Sequence, residues 1–111
     1  YFGGAISPGI NLRFKALHNF TGNLPLIQPI EETNLIGNST ENSIISGVMN
    51  GVREEVDGII NRYKSSYPEV KVIFTGGDAS FFDKELKSNI FVEQNLTLIG
   101  LNEILLYNTR A

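Results

Sequence analysis

The chain has 111 residues, of which 41% are hydrophobic and 19% charged, with a net charge of −3 and no cysteine. These values are typical of one globular domain over residues 1–111, and they exclude a disulfide framework, a thiolate metal site and a disordered or collagen-like chain. The sequence has neither a basic cluster nor a long apolar run, so we expect it to bind neither nucleic acid nor a membrane.

A strand, a turn and a helix are predicted first. Residues 1–6 have the pattern of a strand, and Ser7-Pro8-Gly9 is a turn signal. From residue 10 to about residue 20, apolar side chains recur at helical spacing. Because residue 1 falls inside the strand pattern and is not a methionine, we expect the sequence to be a fragment of a longer protein.

The longest predicted helix follows an irregular segment. Pro25 and Pro29 keep residues 21–38 out of a helix or a central strand. The helix is expected to start at Ser39-Thr40-Glu41, where hydroxyl residues precede an acidic one, and to continue to about residue 63. Its apolar positions recur every three or four residues and form one broad face: Ile44, Ile45, Val48, Met49, Val52, Val56, Ile59, Ile60 and Tyr63.

Two pairs of small residues lie on this helix, Gly47 with Gly51 and Ser46 with Asn50. Each pair is four residues apart, a spacing that lets another backbone approach closely. The apolar face of the helix packs either on the sheet of its own domain or on a partner, and the sequence leaves both readings open.

The second half of the chain alternates strands and helices. Residues 70–74 are a short apolar run rich in β-branched side chains, and Thr75-Gly76-Gly77 ends it with a glycine turn. A short helix is predicted from residue 78 to about residue 87, a brief strand over residues 90–92 and a final helix over residues 98–106. This order predicts an α/β fold.

Three segments carry candidate binding residues, and each has a purely structural alternative. The Gly3-Gly4 pair lets a backbone lie against a ligand, or it forms a bulge before the turn. At the start of the long helix, free N–H groups suit a polar ligand that Thr40 would contact, or Ser39 or Thr40 simply caps the helix. Thr75-Gly76-Gly77 follows the carboxyl end of a strand, where α/β sheets bind ligands, or it is a plain connection to the next helix.

Five ordered motifs resemble type III pantothenate kinases and together cover nearly the whole chain. The motifs are residues 1–9; Ala16, Leu17, Thr21, Leu24 and Pro25; residues 36–44 with Ser46, Gly47 and Gly51; residues 75–77; and residues 96–101. One such segment would be weak evidence, whereas five in the family's order make chance improbable.

The resemblance implies the C-terminal half of a two-domain kinase whose domains have the α/β fold of ribonuclease H and the actin-like ATPases, a mixed sheet with flanking helices. Members of the family transfer phosphate from ATP to the hydroxyl of pantothenate and form 4'-phosphopantothenate, in the first step of coenzyme A biosynthesis. The resemblance further implies Mg²⁺, a monovalent cation (K⁺ or NH₄⁺), a homodimer and a cytoplasmic location.

By the same resemblance, Thr40 corresponds to the family's pantothenate-binding threonine, and Thr21 is a second substrate contact. Gly3 and Gly4 begin the loop after the second phosphate motif, and Thr75-Gly76-Gly77 resembles the adenosine motif. The family's phosphate loop, catalytic base and cation-binding aspartate have no counterpart in this sequence. We therefore expect no catalytic or metal-binding residue here and no activity from the chain alone.

Two other functions are compatible with the resemblance. The family is also known for Bvg accessory factor-like transcriptional activators, so one alternative is a regulatory or interaction protein that keeps the fold without the chemistry. The other is a different kinase or ATPase of the superfamily, because the Thr-Gly-Gly turn is widespread there. The Asn38-Ser39-Thr40 segment favours pantothenate over other acceptors.

Overall fold

The computed structural model describes residues 2–30, 33–87, 89–95 and 99. The chain divides into two compact units, Tyr1–Ile59 and Ile60–Ala111. In chain order, the elements of the described residues are helix α1 (Ile10–Asn19), helix α2 (Thr40–Ser66), strand β1 (Ile73–Phe74), helix α3 (Ala79–Glu85) and strand β2 (Phe91–Val92). That residues 1–111 form a single domain stays a prediction.

Helix α1 forms where the periodicity predicts it. The amide of Arg13 donates to the carbonyl of Gly9 at 3.1 Å, and the helix ends where the amide of Phe20 donates to the carbonyl of Ala16 at 3.0 Å. Ile10 and Phe14, one turn apart, are 3% and 1% exposed. Full burial of one such side chain stabilises a fold by about 1.5–3 kcal/mol, so these two residues anchor the helix.

Helix α2 has 27 residues and buries most of the predicted apolar face. The predicted positions that are buried are Ile44, Ile45, Val48, Met49, Val52 and Ile60. Ile59 and Tyr63 depart from the prediction, since they are 44% and 48% exposed. Both lie in the last third of the helix, where the described residues cover less of this face.

The strand predicted over residues 1–6 is wrong for the described part, residues 2–6. These residues form no regular element, and the side chains of Phe2 and Ile6 are fully exposed. A strand needs a neighbour to bond its N–H and C=O groups. Among the described residues, the only strand pairing is that of β1 with β2.

In the second unit, β1 and β2 pair in parallel with α3 between them in the chain. The register places Ile73 opposite Phe91 and Phe74 opposite Val92. The ring of Phe74 stacks on that of Phe82 in α3, with centroids 5.0 Å apart. A parallel strand pair joined through a helix is the basic α/β unit, so the α/β class is confirmed at this level.

Two predicted features, the last helix and the larger sheet, stay predictions. The final helix predicted over residues 98–106 lies outside the described residues, apart from residue 99. The described residues form a sheet of two short strands, so the larger mixed sheet with flanking helices stays a prediction. Within the described ranges, none of the helices combines the length and apolar character that a membrane crossing requires.

Candidate functional site

A groove of about 970 Å³ opens in the first unit. Its walls come from the turn before α1, the middle of α1, the turn that follows α1 and the first three turns of α2. The lining residues are Pro8, Arg13, Ala16, Leu17, Phe20, Thr21, Leu24, Thr40, Ser43, Ile44, Gly47 and Val48. A groove of this size suits a small-molecule ligand.

The two predicted substrate contacts, Thr21 and Thr40, both line this groove. Thr21 follows the end of α1, and Thr40 is the first residue of α2, so they are 19 positions apart in the chain. Both residues are exposed. The fold therefore brings together the hydroxyl groups that the sequence singled out separately.

The start of α2 shows which of its two hydroxyl residues caps the helix. Ser39 caps the helix, because its Oγ accepts a hydrogen bond from the amide of Asn42 at 3.1 Å. Its carbonyl accepts the first helical bond from the amide of Ser43 at 2.9 Å. No described residue makes a hydrogen bond with the hydroxyl of Thr40. That hydroxyl is free to donate to a ligand in the groove.

Thr21 presents different chemistry to the groove. Its Oγ1 donates to the carbonyl of Leu17 in the last turn of α1. A hydroxyl has one proton, so the Thr21 oxygen is left to accept a hydrogen bond from a ligand. The following turn is braced as well, because Nδ1 of His18 lies 2.8 Å from the carbonyl of Leu24, the geometry of an N–H donor on that nitrogen.

The rest of the lining is mainly apolar. The groove walls carry the side chains of Ala16, Leu17, Phe20, Leu24, Ile44 and Val48. Phe20 is 87% exposed, which leaves its ring available to a ligand. Apolar walls with a few placed polar groups are typical of sites that bind an amphipathic small molecule.

An ion pair borders the groove at Arg13. The Arg13 guanidinium contacts the Glu55 carboxylate of α2, and its Nε donates to the carbonyl of Pro8 at 2.8 Å. The hydroxyl of Ser7 also donates to the Glu55 carboxylate. These bonds tie the turn before α1 to α2. The hydrogen bond from Ser7, followed by that from Arg13, lowers the pKa of Glu55 below its ordinary value.

Replacing Glu55 by glutamine is expected to lower the free energy of unfolding near pH 7 by less than about 1 kcal/mol, because the carboxylate is partly exposed and screened by solvent. A carboxyl group with a lowered pKa in the folded state stabilises the fold above its unfolded pKa and loses this effect as pH falls through the folded value. The difference in stability between the two proteins should therefore begin to shrink as pH falls below the ordinary glutamate pKa of about 4.3. Urea denaturation at pH 7 and pH 3.5 measures this, and an equal difference at both pH values would contradict it.

The predicted nucleotide contacts lie in two places. Gly3 and Gly4 belong to the exposed segment before α1, and Gly3 has a positive φ of 108°. Thr75-Gly76-Gly77 follows β1 directly and precedes α3, at the carboxyl end of the strand. All five residues are exposed, and a Cβ added at Gly3, Gly76 or Gly77 would meet no atom within 4 Å. At these three glycines, the backbone is open to a flat ligand face.

Gly76 has a backbone requirement of its own. Its φ is 97°, a left-handed conformation that L side chains rarely adopt. Gly76→Ala is expected to lower the free energy of unfolding by about 1–2 kcal/mol. Gly77→Ala is the matched control, since its φ is ordinary and its surroundings are open. Thermal denaturation compares the two, and equal losses of stability would argue against backbone strain at Gly76.

Three residues at or beside the groove were not predicted as site residues from the sequence: Ser7, Arg13 and Glu55. Their contacts join positions 42 and 48 apart in the chain. A local pattern carries no signal for such a contact. Among the described residues, no group of three or more His, Cys, Asp or Glu side chains converges to hold a metal ion.

A family model described as type III pantothenate kinase matches residues 1–62. The chain is 51% identical to a type III pantothenate kinase of Christiangramia forsetii over 108 residues and 53% identical to one of Cytophaga hutchinsonii over 106 residues. It is 47% identical to one of Phocaeicola vulgatus over 110 residues. These matches cover 97%, 96% and 99% of this chain and 44%, 45% and 46% of the relatives. The chain thus spans less than half the length of the curated relatives it matches.

Proposed function

The chain belongs to the type III pantothenate kinase family, and we propose that the whole protein transfers phosphate from ATP to pantothenate, forming 4'-phosphopantothenate in coenzyme A biosynthesis. In this proposal the chain contributes the substrate-binding groove of the first unit. The observation that carries the proposal is the convergence of Thr21 and Thr40 on that groove.

The chemistry of the groove fits pantothenate. Pantothenate combines a dimethyl-substituted carbon with two hydroxyl groups, an amide and a carboxylate, so it presents both an apolar body and polar groups. The apolar walls suit the former, while the free Thr40 hydroxyl donates to a substrate oxygen and the Thr21 oxygen accepts from a substrate hydroxyl or amide. These bonds orient the substrate, which is a large part of what a kinase active site contributes to phosphoryl transfer.

ATP is the proposed phosphate donor. Thr75, Gly76 and Gly77 are proposed as adenosine contacts, and Gly3 and Gly4 are proposed to begin the loop after the second phosphate motif. The exposed, open backbone of Gly3, Gly76 and Gly77 fits this role, since a side chain there would occupy the space of the nucleotide. Mg²⁺ would neutralise the phosphates, and a monovalent cation is expected beside it. The described residues bring no carboxylate cluster together for either ion, so no metal-binding role is assigned to them.

The family further suggests the setting of the reaction. We propose that the domain has the ribonuclease H-like, actin-like ATPase fold, that the whole protein works as a cytoplasmic homodimer, and that it binds no nucleic acid. Because the relatives are named as kinases, we favour a catalytic function over a purely regulatory role of the Bvg accessory factor type.

A kinase assay on the full-length protein tests this function. With pantothenate, ATP, Mg²⁺ and K⁺, we expect ADP release together with 4'-phosphopantothenate identified by mass spectrometry. The chain of residues 1–111 alone should give no turnover, because it lacks a counterpart of the family's phosphate loop and catalytic base. Hexoses, glycerol and acetate, each offered in place of pantothenate, test the alternative that the protein is another kinase of the superfamily. A folded full-length protein without turnover would instead favour the regulatory alternative.

A further inference from the structure

The position of Thr40 depends on how the segment before it is held. Residues 34–38 form no helix or strand, and the side chains of Leu35 and Ile36 are 77% and 83% exposed. Burial of these two side chains therefore contributes little to fixing the segment. Its hydrogen bonds to α2 have to supply most of the attachment.

Side chains on one edge of α2 bind the backbone of residues 34–38. The hydroxyl of Ser46 donates to the carbonyl of Leu35, and the hydroxyl of Ser43 lies 3.4 Å from the carbonyl of Gly37. Ser43 and Ser46 are three residues apart and so lie on the same edge of the helix. The close backbone approach that the small residues predict thus occurs at Ser46, and the approaching backbone is the chain's own.

Ser46 is the buried member of this edge, at 7% exposed. Its hydroxyl acts as both donor and acceptor. It donates to the carbonyl of Leu35 and accepts a hydrogen bond from Nδ2 of Asn50 at 3.1 Å. Nδ2 of Asn50 also lies 3.5 Å from the carbonyl of Asn34. Loss of this hydroxyl removes a hydrogen bond between α2 and the carbonyl of Leu35.

We propose that Ser46 is a positioning residue for substrate binding. Its hydroxyl holds residues 34–38 on α2 and thereby fixes the start of the helix, where Thr40 faces the groove. Ser46 is not part of the groove lining, so it acts through Thr40 and not by touching the substrate. The inference rests on the proposed function, in which Thr40 contacts pantothenate.

Steady-state kinetics of the full-length protein provide the first test. Ser46→Ala should raise the KM for pantothenate about tenfold and leave the KM for ATP unchanged. The expected effect is smaller than the ~10²-fold loss of rate that a 1 Å misplacement can cause. Ser65→Ala is the matched control, because Ser65 lies on the same helix and its hydroxyl donates only to the carbonyl of Asn61. It should change neither constant.

Amide hydrogen exchange provides a second test that needs no activity. In Ser46→Ala, the amides of Asn42 and Ser43, which bond to Ser39, should exchange at least tenfold faster, while Ser65→Ala should leave them unchanged. Unchanged exchange at both amides, or an unchanged KM for pantothenate in a less stable protein, would overturn the role of Ser46.

If Ser46→Ala does not fold, Asn50→Ala should show the same changes to a smaller extent, and no change there would also overturn it. An unmodified protein that does not phosphorylate pantothenate would overturn the proposed function, while the exchange data would still decide whether Ser46 holds the segment.

Discussion

Gly37→Ala is expected to destabilise the protein by about 3 kcal/mol, at the upper end of the cost of overpacking. A Cβ at Gly37 would lie 2.3 Å from the backbone nitrogen of Ser43 and 2.5 Å from the carbonyl carbon of Asn42. All of these atoms belong to the backbone of the first turn of α2, so no side chain can rotate away to make room. Either residues 34–38 or the start of the helix has to move.

Urea denaturation of the full-length protein measures this effect, with Gly58→Ala as the matched control. Gly58 is an exposed position of α2, and a Cβ there would meet no atom within 4 Å. The same substitution should raise stability at Gly58 by about 0.5–1 kcal/mol, because alanine favours the helix. The close approach at Gly37 would be refuted if both variants gained stability.

Thr40→Ala is expected to raise the KM for pantothenate by roughly tenfold to hundredfold. The reason is that a polar group of the substrate loses its hydrogen-bond partner, which costs about 1–3 kcal/mol of binding free energy. Stability should change little. Thr40 is exposed, and Ser39 carries the helix cap. The KM for ATP should also stay constant, because Thr40 is proposed to contact only pantothenate.

Two further variants separate binding from capping. Thr40→Ser keeps the hydroxyl and should bind pantothenate nearly as well as the unmodified protein. Ser39→Ala removes the cap and should cost about 1 kcal/mol of stability. Initial-rate kinetics and thermal denaturation of all three variants give the comparison. A Thr40→Ala protein with unchanged KM for pantothenate would remove Thr40 from the substrate site.

The helices of the first unit were predictable because their signal is local. Ile10 and Phe14 repeat at one turn, and both become buried on the same side of α1. The start of α2 was likewise visible in Ser39-Thr40-Glu41, and Ser39 does cap the helix. The predicted strand is wrong over the described residues 2–6, because a strand depends on a neighbour, which the local sequence does not provide.

The candidate site was predictable only in part. Thr40 and Thr21 stood out through the family motifs, and both line the groove. Motif and spacing did not show that the Thr21 hydroxyl donates to the carbonyl of Leu17, while no described residue bonds the hydroxyl of Thr40. The roles of acceptor and donor depend on these bonds.

Local periodicity and ordered motifs were thus sufficient for the three helices of the described residues, the α/β class and the family. Only the tertiary structure decided that Thr21 and Thr40 share the groove and that Arg13 meets Glu55 across 42 positions. Contacts of this kind depend on how α1 and residues 34–38 settle on α2. Side chains far apart in the chain leave no periodic trace of such an arrangement in the sequence.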